Sequence, residues 1–85
     1  MSNYFEDKLL QRNNITSNLL SEMARTATRL ENIINDTKKQ LDWLRENPEE
    51  KAWMCPDNIR VIPAARRATL DLSQALAEWR KEIKS

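Results

Sequence analysis

From Tyr4 to about Asn47 the chain runs without proline or glycine. Its apolar side chains return at alternating spacings of four and three: Met23, Ala27, Leu30, Ile34, then Thr37, Leu41 and Leu44. A helical repeat of about 3.6 residues brings such positions onto one line. Carried backwards, the line takes in Leu20, Thr16, Asn13 and Leu9, while Leu19, Thr26 and Ile33 widen it on one flank. The pattern predicts a long helix over residues 4–46 with a heptad seam of the coiled-coil kind. Asn13 to Ser17 is its weak stretch: these residues are poor helix formers and Thr16 or Ser17 suits a cap, so 13–17 allows a kink or a break in what is otherwise one helix about 65 Å long at ~1.5 Å per residue.

Asn47-Pro48-Glu49-Glu50 has the form of a helix start, with Asn47 as cap, Pro48 in the first helical position and two acids facing the dipole. A short helix from Pro48 to Met54 is expected, broken by Cys55-Pro56-Asp57-Asn58 and followed by an extended Ile59–Ile62. A linker over 48–62 then leads into a second main helix over 63–83. Its inward seam is Ala65, Thr69, Leu72, Leu76, Trp79 and Ile83, with Ala68 and Ala75 beside it to allow close packing and Leu70 outside it. Trp43 and Trp79 are expected in the core, Trp79 against the region from Thr26 to Leu30.

The fold class is therefore all-α: a helical hairpin with a long first helix, a short linker helix and a second main helix, forming one domain over residues 1–85. At about 30 Å long, the second helix folded back as a hairpin would cover only the Met23–Leu44 half of the longer one. Tyr4, Phe5, Leu9, Leu10, Leu19 and Leu20 would stay uncovered, which points to a dimer interface there. With 85 residues the chain is also short for a self-sufficient core. An antiparallel homodimer forming a four-helix bundle answers both problems.

Composition narrows the chemistry. With no glycine, phosphate-cradling loops are disfavoured; with no histidine, the usual general base is missing. No metal-ligand spacing and no cofactor motif is present, so no catalytic, metal or cofactor site is assigned and the chain is read as a non-enzyme. Fourteen basic and 13 acidic residues give a net charge of +1, too little for a global pull on nucleic acid or membrane. One cysteine, no secretion signal and no membrane-length apolar run suggest a cytoplasmic protein. Cys55 is read as structural, since no histidine is there to take its proton.

The linker is the least ordinary segment, because long connections are uncommon in small bundles. Its Trp53, Met54 and Ile59 either plug the end of the hairpin or join Arg60, Arg66 and Arg67 in an aromatic and arginine surface of the type that binds proteins. A partner protein is thus the favoured ligand, and an accessory regulator or inhibitor of bacterial or phage type the favoured role. The alternative is nucleic acid, met by Arg25, Arg29, Lys38 and Lys39 along the first helix, although interleaved acids such as Glu22, Glu31 and Asp36 also fit an ordinary solvated face.

A long, a short and a third helix in an intertwined dimer is a layout similar to the all-helical chorismate mutases. That resemblance implies a dicarboxylate pocket faced by Arg12, Arg29 and Lys39. The chain lacks the family's leucine-arginine opening, and Glu49, Glu50 and Lys51 replace its acid-arginine-acid pattern.

Overall fold

The computed structural model describes residues 4–84 and is an all-α hairpin. Helix α1 spans Tyr4–Glu46, a 3-10 turn spans Ala52–Met54, and helix α2 spans Val61–Lys84. The molecule measures 75 × 16 × 14 Å, an elongated rod set by the 43 residues of α1. Glu6 and Asp7 in the first turn of α1 and Arg45 in its last complement the helix dipole.

No break occurs at 13–17, where α1 is continuous. The Thr16 hydroxyl, instead of capping a new helix, donates back along α1 to the Arg12 carbonyl at 2.7 Å. The same oxygen accepts a 2.9 Å bond from the Trp79 indole, which ties the weak stretch to α2.

The linker departs from its expected form for a local reason. Asn47 closes α1 rather than opening a helix: its backbone N–H and its side-chain amide both donate to the Trp43 carbonyl, at 2.9 and 2.8 Å. Pro48 cannot continue α1, and the expected Pro48–Met54 helix shrinks to the Ala52–Met54 turn. Helix α2 begins at Val61 instead of Pro63. Asn58 caps it, its side-chain oxygen accepting from Arg60 N–H and its carbonyl from Val61 N–H, both at 3.1 Å. Pro63 falls in the first turn, where its missing N–H costs little.

The expected overlap of the helices is corrected. Because the linker runs back along α1 before α2 starts, α2 covers the N-terminal and middle part of α1, not Met23–Leu44. Gln11 donates to Glu82 at 3.0 Å near one end, the Thr26 hydroxyl donates to the Ala68 carbonyl at 3.2 Å near the middle, and Val61 shares a cavity wall with Arg29 at the other end. Trp79 consequently meets Thr16, not Thr26–Leu30.

The seam itself lies one flank over. The α1 residues turned towards α2 are Ile15, Leu19, Glu22 and Thr26, and those on α2 are Val61, Ala65, Ala68, Leu72, Ala75 and Trp79. Among the described residues, buried apolar side chains are confined to Leu19, Val61, Ala65, Ala68 and Ala75. Alanines along α2 let the backbones approach closely, so that Thr26 reaches across to a main-chain oxygen of α2. A close fit of that kind suits the narrower Leu19/Thr26 flank, while the bulkier leucine line is left outside. The heptad stripe is accordingly exposed along most of its length: Leu20, Met23, Leu30, Ile34, Leu41 and Leu44 all face outward.

Candidate functional site

The linker and the last three turns of α1 enclose a cleft of about 780 Å³, within the size range of small-ligand pockets. Gln40 builds it. Its side-chain amide donates to the Pro56 carbonyl at 3.2 Å and to Asp57 Oδ1 at 3.0 Å, clamping the linker onto α1. The half-buried Cys55 thiol points at the Gln40 carbonyl from 3.7 Å, a packing contact consistent with a structural cysteine.

Trp43 and Ile59 supply the apolar wall of the cleft, while Asp36, Lys39, Asp42 and Glu46 line it from α1 and Asp57 and Arg60 from the linker. Four carboxylates against two cations give the site a local acid excess in a chain whose total charge is +1. Such a site favours a ligand with an apolar anchor and a positive charge. No group of residues suited to holding a metal ion exists among the described residues.

The six linker-region residues singled out by sequence do not form one patch. Ile59 and Arg60 line the cleft, and Ile59 is 77% exposed. Trp53, 79% exposed, and Met54 sit on the 3-10 turn outside it, so neither plugs the hairpin end. Arg66 and Arg67 are exposed on α2 and do not line it. Sequence reading missed Trp43, assigned to the core but half-buried on the cleft wall, and the acids around it. The available signal was Asp36, Lys39, Asp42, Trp43 and Glu46 at three-four spacing on one side of α1.

Of the residues expected at a dimer interface, Tyr4, Phe5, Leu9, Leu10 and Leu20 are exposed, but Leu19 is buried under α2 and closed to any second chain. Phe5, Leu9 and Ile83 line a cavity of about 200 Å³ at the opposite end of the rod, and Lys8 lies 5.8 Å from the centre of the Tyr4 ring. The four bases of the nucleic-acid alternative lie in different settings. Arg25 is ion-paired with Asp71 on α2 and with Glu22 at 3.5 Å, Arg29 borders a small cavity beside Val61, Lys39 lines the cleft and Lys38 is exposed. Arg12, Arg29 and Lys39, the pocket residues implied by the mutase resemblance, line three separate cavities. No helix among the described residues is long and apolar enough to cross a membrane. No protein-family model, no curated protein and no solved structure matches the chain.

Proposed function

We propose that this protein is a protein–protein interaction module, a small cytoplasmic regulator or inhibitor that works as a dimer and carries no enzymatic activity. It takes a segment of its partner into the linker-end cleft. The observation behind this reading is the cleft itself, with exposed Ile59 and half-buried Trp43 as an apolar anchor and a surplus of carboxylates around them. The complementary partner segment presents an apolar side chain next to a lysine or arginine. Exposed aromatic and arginine side chains such as Trp53 and Arg60 extend the surface, and these residue types dominate binding energy at interfaces.

A photo-crosslinking residue introduced at Ile59 tests the reading in cells. It should trap one protein reproducibly, with loss of trapping on Trp53→Ala or Asp42→Lys, while the same residue at the exposed Leu70 should trap none. Equal trapping at both positions would mean that the cleft has no selectivity. For nucleic acid, no observation in the structure favours the reading over an ordinary charged surface.

A further inference from the structure

We infer that a second copy of this chain covers the outer stripe of α1, running antiparallel to it in a register centred near Arg25, so that two hairpins close into a four-helix bundle. The inference deepens the dimeric part of the proposed function and rests on it. It moves the interface away from the N-terminal cluster to a line spanning the whole of α1.

The stripe is its own complement when reversed. Tyr4–Glu46 has its midpoint at Arg25, and turning one copy about that point pairs the stripe positions from Leu9 to Leu41 with one another in alternating core layers, as antiparallel coiled coils require. Asn13 then meets Thr37, polar against polar. Leu20 meets Leu30, and the long Met23 meets the small Ala27. Thr16 meets Ile34 through its methyl group, since its hydroxyl is already bonded within the chain.

The position of α2 also fits. It lies along the N-terminal and middle part of α1, with Ile83 flanking the stripe at Leu9, so a two-fold axis near Arg25 brings the N-terminal halves of the two short helices together. From Leu9 to Leu44 the stripe is about 53 Å long at ~1.5 Å per residue. Over a hairpin 16 Å wide, that offers roughly 800 Å² per copy, the size of a standard stable interface.

Light scattering across a range of protein concentrations, followed by crosslinking in a Cys55→Ser background, tests the inference. The expected mass is twice the 10.0 kDa of one chain. A chain carrying both Leu20→Cys and Leu30→Cys should be joined to its partner in high yield by a short bis-maleimide, with helicity by circular dichroism unchanged. Either cysteine alone should give only background, because like positions are then about 15 Å apart along the axis. A monomer at every concentration overturns both the dimeric reading and this inference. A dimer in which Leu20→Cys alone crosslinks, or in which the double variant does not, keeps the dimer and overturns the interface assigned here.

Discussion

Leu19 and Leu20 are neighbours in sequence with opposite fates: Leu19 is 9% exposed, beneath α2, and Leu20 is 67% exposed on the outer stripe. Each stands for a whole line of α1. The Leu19 line packs against alanines and includes polar members such as Glu22, Thr26 and Gln40, whereas the Leu20 line is apolar except at Asn13, Thr16 and Thr37. The better hydrophobic seam is thus the one the hairpin leaves open. Hydrophobic content alone did not choose the intrachain contact; closeness of approach did, since α2 presents a line of small side chains that a row of leucines would hold at a distance.

The sharpest way to break this contrast is to place charge on the outer line. Leu20→Glu together with Ile34→Glu should convert the proposed dimer fully to a monomer by light scattering, the two carboxylates being set against Leu30 and the Thr16 methyl group of the second copy. Next in size is the inner line. Leu19→Ala should lower the stability of the hairpin by about 2–3 kcal/mol, the lower part of the range for a buried leucine, measured by urea unfolding of the Leu20→Glu/Ile34→Glu chain so that dissociation does not enter. Ala68→Leu probes the close approach from the other side. At 1% exposure the added atoms have no room, and a loss of about 1–3 kcal/mol is expected, against a change within about 0.5 kcal/mol for the exposed Leu70→Ala.

Smaller effects sharpen the polar contacts. Thr26→Val keeps the shape but removes the bonds to Glu22 and Ala68 carbonyls, and should cost about 1 kcal/mol by the same unfolding measurement. Arg25→Ala should cost well under 1 kcal/mol, and that difference should shrink in high salt, because both partners of the Arg25–Asp71 pair remain substantially exposed.

The helices were legible because their signals are local: an uninterrupted apolar repeat for α1, and a second repeat after Pro63 for α2. What the pattern could not rank was two overlapping stripes on one helix. Ala68 and Ala75 looked like companions of a leucine seam and proved to be its centre, since alanine carries little hydrophobic weight yet decides how near two backbones come. The overlap of the helices was lost at Asn47, where a capping residue suits the end of one helix and the start of another. Taking it as a start put a short helix in the linker, where the structure has a segment that runs back along α1 and carries α2 to its N-terminal half. At the cleft, Ile59 and Arg60 were found from the linker, but Trp43 and its acids were not, because which side of α1 the linker retraces depends on the Gln40 clamp.

A row of alanines is a smooth track. Large side chains interlock and forbid sliding, but the contact line of α2 offers few such obstacles, and the segment from Asn47 to Arg60 is long enough to give slack. What keeps α2 from slipping a heptad along α1 is a set of polar pins: Trp79 on Thr16, Thr26 on the Ala68 carbonyl, and Asp71 on Arg25. Alignment and adhesion are thus divided between different residues, and loosening the pins would shift where the short helix rests without peeling it off.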